Sequence, residues 1–492
     1  MDESQSFENA LESFCTLGLE AVRTNPSKPA AEFADALEST ATFGALTRAA
    51  STLERTEALR HGLSGADRFE LAAFLRRSGV YSCLHAGEFP KTMEVSARFQ
   101  ALLLQSHVNV TYMAPVELIQ LARDRVEFEP FAIRQFSQSE LAALTQNEIR
   151  KAFYPWAAVN LELLEDYWFL VATDTIPVRS AFDLGGVFET HVGPLYTSHP
   201  PALEKALYPL VLHDWVDQFH PVNPGARPAK REPHDAPIYP HIPFVLTLSE
   251  SWLEAPKRAP ATEELARDPQ YDDEGEETSN RPCYAFYFDE AATNKLEDDL
   301  RQLATRLRLI ERHQPAWRFM YTALGFLTKA FETKGVEQLL WHITAIEAIL
   351  GQEEAGLTNA LKRRIAEIFG RSAKEKKSFK KQFDDLYRFR SDLVHGNSEL
   401  DDQKIMKGHL AESRDFARGV VAWATGFLAH LVKHNPMDTQ PIPTRENLLL
   451  MLDMDAGERS AIASLLQNAP QGFPAMEDWL IYGESAGFPW GK

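Results

Sequence analysis

Apolar residues recur every three or four positions along five separate stretches of the chain between residues 290 and 435. Such spacing places the side chains on one face of an α-helix. The five stripes are Leu296, Leu300, Leu303, Leu307 and Ile310; Leu339, Ile343, Ile346 and Leu350; Leu357, Leu361, Ile365 and Ile368; Phe379, Phe383, Leu386, Arg390 and Leu393; and Phe416, Val420, Trp423, Phe427 and Leu431. Because successive amphipathic helices bury such faces against one another, the pattern predicts an all-α helical bundle over residues 283–435.

The rest of the 492-residue chain differs in pattern from this bundle. Residues 1–90 carry the helical period. Residues 91–260 contain β-branched and aromatic segments that are typical of strands, at 111–113, 125–136, 166–174 and 241–249. We therefore expect a multidomain α+β protein. In it, an N-terminal helical region and a β-rich α+β domain with a regulatory or sensing role precede the C-terminal helical bundle.

An acidic segment separates the β-rich part from the bundle. Between positions 262 and 277 there are eight acidic residues and one arginine, a net charge of −7. Such a charge without an apolar face is typical of a solvated linker or a disordered loop, which we place at residues 261–282. Residues 436–492 begin with a Pro-rich stretch and are expected to form a C-terminal extension with one or two short helices.

The overall charge limits the partners of the molecule. With 51 basic and 70 acidic residues, the formal net charge is −19, so the molecule as a whole should repel nucleic acid and anionic membranes. The three cysteines are too few for a disulfide framework. The start of the sequence, MDESQSFENA, lacks an apolar run, and no stretch reaches the ~18 apolar residues of a membrane helix. We expect a cytoplasmic protein without a membrane partner.

One segment reverses this charge balance. Residues 361–390 contain eleven basic and four acidic residues, a local excess of +7. The basic residues are Lys362, Arg363, Arg364, Arg371, Lys374, Lys376, Lys377, Lys380, Lys381, Arg388 and Arg390. Although most charge runs are solvated helix faces, this one has the concentration of positive charge that phosphate capture requires.

Two charged residues occupy positions where the helical period calls for apolar side chains. Arg390 lies in the fourth stripe, and Glu347 lies between Ile343 and Leu350 of the second. A buried arginine or glutamate needs a partner, and each is a candidate to pair with the other. His395 follows five residues after Arg390, and Gly396 suits a helix end, so a frayed last turn would let the imidazole approach the guanidinium. The alternatives are a surface arginine, a histidine that complements the helix dipole, and a glutamate that reaches water at the stripe edge.

The residues around this pair carry a family resemblance. LYRFRSDLVHGN at 386–397, preceded by LLWHITAIEAILG at 339–351, resembles the Apea-like branch of the HEPN superfamily. The superfamily signature is an Arg, four to six residues and a His, which matches Arg390 to His395. The Apea-like branch adds an upstream Ile/Leu-Glu-Ala-hydrophobic-Leu helix, here 346–350, and Tyr-x-x-Arg-Ser before the His-Gly, here 387–391. Many other HEPN nucleases have Asn, Asp or His where this chain has Ser391.

The resemblance, which covers roughly residues 290–435, implies a HEPN-type helical bundle with metal-independent RNA endonuclease activity in a defence or toxin-type effector. It also implies a homodimer through the bundle, with RNA as substrate and an inhibitory or trigger protein as a further partner, and no cofactor or metal. The alternative is a non-catalytic HEPN module that binds RNA, nucleotide or a protein partner. The expected catalytic residues are Arg390, His395 and Glu347, and the expected substrate-binding residues are Ser391, Asn397, Tyr387, Arg388, Lys377, Lys380 and Lys381.

Two rival motifs are weaker. Residues 483–487 match the Gly-x-Ser-x-Gly nucleophile elbow, but no histidine follows to complete the chain order of that triad. His220, His234, Asp235 and His241 lie in a Pro-rich stretch and match no metal-binding spacing. We interpret the first as a C-terminal turn and the second as a loop.

Overall fold

The protein is represented by a computed structural model. It describes residues 3–28, 30–61, 71–105, 107–145, 164–177, 199–215, 239–242, 245–249, 253–254, 267–271, 277–282, 284–311, 317–352, 356–370, 372–395, 403–434 and 444–453. These residues are mostly helical, with a small antiparallel sheet in the N-terminal half and a helical C-terminal region.

The N-terminal region is helical, as the apolar period predicts. In the first helix, Phe7, Leu11, Phe14 and Gly18 recur every three or four residues and are buried against the following helices. The helices are α1 (Glu3–Thr24), α2 (Ala30–Glu38), α3 (Ala41–His61), α4 (Leu71–Arg77), α5 (Val80–His85) and α6 (Thr92–Leu104).

An antiparallel sheet of six strands follows, in the order β3-β4-β5-β1-β6-β7. Its long central strands pair along their whole length, from His107 opposite Pro177 to Val116 opposite Trp168. All four segments predicted as strands contribute to it. The strands are β1 (His107–Val116), β3 (Arg125–Phe128), β4 (Phe131–Gln135), β5 (Trp168–Pro177), β6 (Leu246–Ser249) and β7 (Leu253–Glu254), with β2 (Leu118–Leu121) immediately after β1.

Two predicted boundaries around the sheet are wrong. Within the segment predicted as an acidic linker, the described residues form two antiparallel strands, β8 (Arg267–Tyr271) and β9 (Glu277–Pro282), and the rest of that segment lies outside the described residues. The next strand, β10 (Tyr284–Phe288), pairs in parallel with β2, so it belongs with the β-rich part. The first helix of the bundle therefore begins at Glu290 and not at residue 283.

Two more helices accompany the sheet. The helix α7 (Gln138–Thr145) follows β4. The helix α8 (Pro201–Leu212) is almost wholly buried and packs against the sheet and the bundle. Its C-terminal end is held by buried Arg418, which donates to Leu212 O and pairs with Asp214 at 3.3 Å. The helix α8 thus lies at the interface between the two halves of the chain.

The C-terminal region is the predicted bundle of helices. Each of the five apolar stripes lies on one helix. Most residues of four stripes are buried, whereas in the fourth stripe Phe383 and Leu386 are buried and the other three residues are half-buried. A sixth helix, α10, joins them, although its sequence was not singled out. The helices are α9 (Glu290–Glu311), α10 (Arg318–Glu332), α11 (Gly335–Leu350), α12 (Leu357–Phe369), α13 (Ala373–Val394), α14 (Gln403–His434) and α15 (Arg445–Asp453). No helix in the described part of the chain is long and apolar enough to span a bilayer.

Candidate functional site

The predicted site lies on α13, a helix with strong end signals. Ser372 and Glu375 form a capping box at its start, in which each side chain accepts a hydrogen bond from the backbone N–H of the other. The helix ends at Val394, and His395 is its C-terminal cap residue. The backbone N–H of His395 still donates to Ser391 O at 3.0 Å, so the helical hydrogen-bond ladder extends to the histidine itself.

This regularity keeps Arg390 and His395 apart within one chain. Side chains five positions apart on an α-helix differ by about 140° around the axis. Arg390 follows the buried stripe of Phe383 and Leu386, whereas His395 is exposed on the opposite side. The expectation that a frayed last turn brings the two together is wrong, because the last turn keeps its hydrogen bond. Gly396 and Asn397 lie outside the described residues.

A first group of predicted residues meets on the inner side of α13. The Tyr387 hydroxyl donates a 2.8 Å hydrogen bond to Glu347 Oε1 on α11. Burial and this hydrogen bond raise the pKa of Tyr387 to about 12, so the phenol stays protonated at neutral pH. The guanidinium carbon of Arg390 lies 5.6 Å from the centre of the Tyr387 ring. Glu347 is therefore partnered by the tyrosine, not by Arg390 as its position in the stripe suggested.

Arg390 itself stands out by what surrounds it. Its side chain is half-buried, and its Nε is enclosed without a hydrogen-bond partner. Within the described residues, no carboxylate lies within ion-pair distance of its guanidinium, unlike buried Arg364 and Arg418, which pair with Asp453 and Asp214. A half-buried cation with its fork of donors still open is suited to an anionic ligand.

A second group of predicted residues lies on the outer side of α13. Arg388, Ser391 and His395 are three and four positions apart, so they form one continuous row along the helix. Arg388 and His395 are exposed, and Ser391 is half-buried. Arg388 pairs with Asp384 one turn earlier at 3.4 Å. The predicted site residues are thus divided between two faces of one helix.

The basic segment is less positive than its own sequence implies. Lys362 pairs with Asp384 at 2.7 Å, and Lys376 pairs with Glu367 at 2.6 Å. Arg363 and Arg364 both pair with Asp453 of α15, an acidic residue outside the segment that the local charge count could not include. Four exposed lysines of α13 form no ion pair with another described residue: Lys374, Lys377, Lys380 and Lys381.

Sequence reasoning missed the arginines that hold the end of α11 beside Glu347. Arg445 of α15 donates to Ile349 O and Glu347 O, each at 3.1 Å, and to Gly351 O. Arg364 of α12 donates to Leu350 O at 2.5 Å. Two cations thus satisfy the free carbonyls at the negative end of the helix dipole. Nothing in the spacing of residues 436–492 singles out Arg445, because its role depends on the docking of α15.

The C-terminal end of α15 is also held by ion pairs, which involve Asp453. Asp453 accepts hydrogen bonds from Arg364 at 2.9 and 2.5 Å and from Arg363 at 2.6 Å. Burial acts to raise the pKa of Asp453, but the hydrogen bonds from both arginines outweigh it and hold the pKa below its usual range. Between the two ends, Leu448, Leu449 and Leu452 are buried. The helix α15 therefore fixes the position of α11 at the candidate site.

Of the Gly-x-Ser-x-Gly match and the His/Asp group, only His241 lies among the residues that the structure describes. Residues 483–487, His220, His234 and Asp235 lie outside the described residues. His241 is described, and its Nδ1 lies 2.7 Å from Glu117 Oε2 on the sheet. Among the residues that the structure describes, no group of three or more His, Cys, Asp or Glu side chains is arranged to hold a metal ion.

The chain was compared with protein-family models, curated proteins and solved structures. None of the three comparisons finds a match.

Proposed function

We propose that the protein is a metal-independent RNA endonuclease of HEPN type, acting as a defence or toxin-type effector. The observation that carries the proposal is the open guanidinium of Arg390, half-buried and without an ion-pair partner among the described residues, on the helix that ends in exposed His395. The resemblance of residues 386–397 to the Apea-like HEPN motif supports the assignment to RNA.

The chemistry needs only these two side-chain types. The His395 imidazole takes the proton of an RNA 2′-hydroxyl. The 2′-oxygen then bonds to the adjacent phosphorus, and the bond from phosphorus to the 5′-oxygen breaks. The leaving 5′-oxygen takes a proton from solvent water, to which the His395 imidazolium returns its own proton, and Arg390 stabilises the charge on the phosphoryl oxygens. The products are a 2′,3′-cyclic phosphate and a 5′-hydroxyl.

This reaction requires two copies of the chain. Arg390 and His395 lie on different faces of α13, so one chain alone does not present both to one phosphate. We propose a two-fold homodimer in which Arg390 of one copy faces His395 of the other. Two-fold homodimers are the commonest protein oligomers.

The N-terminal half is the proposed sensor or restraint. Buried α8 packs against the sheet on one side and against helices of the bundle on the other. A trigger or inhibitory protein that moves the sheet would therefore act on the bundle through α8.

One observation favours the alternative, a bundle that binds RNA, nucleotide or a protein without cutting. The separation of Arg390 from His395 in a single chain would leave a monomer with a binding face and no assembled catalytic pair. Incubation of the purified protein with total RNA, wild type beside His395→Ala, separates the two functions. Fragments that appear only with the wild type support the nuclease, and binding without fragments supports the alternative.

A further inference from the structure

The outer face of α13 carries a second arginine in register with the histidine. Arg388 and His395 are seven positions apart, which places them within about 20° of one another around the helix axis. Arg390 differs from His395 by about 140° on the same helix. Ser391 fills the turn between Arg388 and His395, so the three polar side chains form one uninterrupted row.

The end of α13 is held firmly enough to maintain this row. The Phe389 ring packs on His409 of α14, with ring centres 4.3 Å apart. The hydrogen bond from His395 N–H to Ser391 O closes the last turn.

Arg388 is also available to a ligand. Its only ion pair among the described residues is with Asp384, at 3.4 Å, and 67 % of its side chain is exposed. Asp384 has a closer partner in Lys362, at 2.7 Å, which would remain if Arg388 moved away. An exposed pair between residues four apart contributes little, so a phosphate can draw Arg388 toward His395.

We propose that Arg388 is a second catalytic arginine, which contacts the scissile phosphate in the same chain as the His395 that deprotonates the 2′-hydroxyl. This inference rests on the proposed function and deepens it. Each reaction centre then contains two guanidinium groups, Arg388 from the same copy as the histidine and Arg390 from the other. Two guanidinium groups can donate hydrogen bonds to both non-bridging oxygens of the phosphate, where negative charge builds up in the transition state.

The test compares Arg388→Ala with a matched control, Arg301→Ala. Arg301 of α9 is likewise exposed and pairs with Glu297 one turn earlier, at 2.7 Å, but lies on another helix. On single-stranded RNA we expect kcat to fall about 100-fold in Arg388→Ala and to stay unchanged in Arg301→Ala. Arg388→Lys should recover part of the loss, because an ammonium restores the charge without the fork.

A binding measurement keeps the test independent of cleavage. With a fully 2′-O-methylated RNA strand, which cannot be cut by this route, the slope of log affinity against log salt should decrease by about 0.7 in Arg388→Ala. Mixing Arg388→Ala with His395→Ala should restore no activity, because no mixed dimer then holds both intact residues in one chain.

The outcomes separate this inference from the proposed function. In one outcome, His395→Ala is inactive, but Arg388→Ala has the same kcat and the same salt dependence of RNA binding as Arg301→Ala. That outcome refutes the role of Arg388 and leaves the proposed nuclease activity supported. Restored activity in the Arg388→Ala and His395→Ala mixture would also refute it, by placing Arg388 in the opposite copy. If the wild type cuts no RNA, the proposed function fails, and so does the catalytic role of Arg388.

Discussion

Tyr387 on α13 donates a 2.8 Å hydrogen bond to Glu347 on α11 and presents its ring to the guanidinium of Arg390. The tyrosine thus joins the two charged residues that interrupt the apolar stripes. Glu347 is held in turn by the cap on its own helix, where Arg445 donates to the Glu347 carbonyl. The position of Arg390 therefore depends on contacts from three helices.

The first prediction concerns this hydrogen bond. Removal of the hydroxyl in Tyr387→Phe keeps the ring beneath Arg390 but leaves a half-buried carboxylate without its donor, so the free energy of unfolding should fall by about 1–2 kcal/mol. Denaturant unfolding of Tyr387→Phe, Glu347→Ala and the double variant measures the coupling free energy of the two side chains. We expect a coupling of at least about 0.5 kcal/mol, and additive effects would show that the two groups do not interact.

The second prediction concerns the anchor of α15. In Asp453→Asn, Arg364 with 1 % of its side chain exposed loses its counter-charge, which should lower the free energy of unfolding by about 2–4 kcal/mol. The control is Glu94→Gln, which removes an exposed pair with Lys91 and should leave the free energy of unfolding nearly unchanged. Equal effects of the two variants in urea unfolding would contradict the anchoring role.

This anchor should also depend on pH. Because the folded-state pKa of Asp453 lies below its ordinary value, its stabilisation is present above the unfolded pKa of ~3.9 and is lost as the pH falls through the folded pKa. The stability difference between wild type and Asp453→Asn should therefore shrink below about pH 4. A difference that stays constant from neutral pH to pH 3 would assign the effect of the substitution to something other than charge.

The third prediction concerns a buried histidine between the two halves of the chain. His342 is fully buried, lies 2.9 Å from Ser413 Oγ and 3.2 Å from the Tyr239 hydroxyl, and has two arginines nearby. Since Ser413 donates to a backbone carbonyl, His342 Nδ1 donates to Ser413, and Nε2 accepts from Tyr239. Burial, Arg414 and Arg418 lower the pKa of His342 to about 3, so the imidazole is neutral in the folded protein.

The sign of the pH effect follows from that lowered pKa. The unfolded chain takes up a proton at this histidine below ~6.5, whereas the folded protein does so only near pH 3. Stability is therefore lost as the pH falls from 6.5. Between about pH 5.5 and 4, the free energy of unfolding should fall about 1.4 kcal/mol per pH unit more steeply in the wild type than in His342→Gln. Parallel slopes would show that the buried histidine is charged.

The sequence alone predicted most helices of the bundle, but not the strand pairings that precede it. Apolar spacing located α9, α11, α12, α13 and α14, because one buried face is enough to specify a helix. The pairing of residues 267–271 with 277–282 was not predicted, because cross-strand hydrogen bonds satisfy a polar backbone without any apolar alternation. The parallel pairing of β10 with β2 joins residues far apart in the chain, which no local pattern shows.

The candidate site was predicted in its members but not in its geometry. Arg390 and His395 were selected by motif, yet only the intact helical ladder at His395 shows that they face different ways. The apparent charge of the basic segment was too high, since Asp453 neutralises part of it from a helix far along the chain. Long-range pairing, unlike helical period, leaves no trace in local spacing.

The fourth prediction concerns the proposed dimer. If each reaction centre combines Arg390 of one copy with His395 of the other, a mixed dimer of Arg390→Ala and His395→Ala retains one intact centre. An equal mixture of the two inactive variants should regain about a quarter of the wild-type activity after subunit exchange. A mixture that stays inactive although native mass spectrometry shows mixed dimers would place both residues at the same centre within one chain.

The most direct test of the nuclease is the chemistry of its products. Wild-type protein should cut single-stranded RNA in the presence of EDTA and leave a 2′,3′-cyclic phosphate and a 5′-hydroxyl. It should spare DNA and RNA with a 2′-O-methyl group at the cut. His395→Ala should lose at least about 100-fold in rate while unfolding at the same denaturant concentration as the wild type. Cleavage of single-stranded DNA, loss of cleavage on chelation, or full activity in His395→Ala would contradict the proposed mechanism.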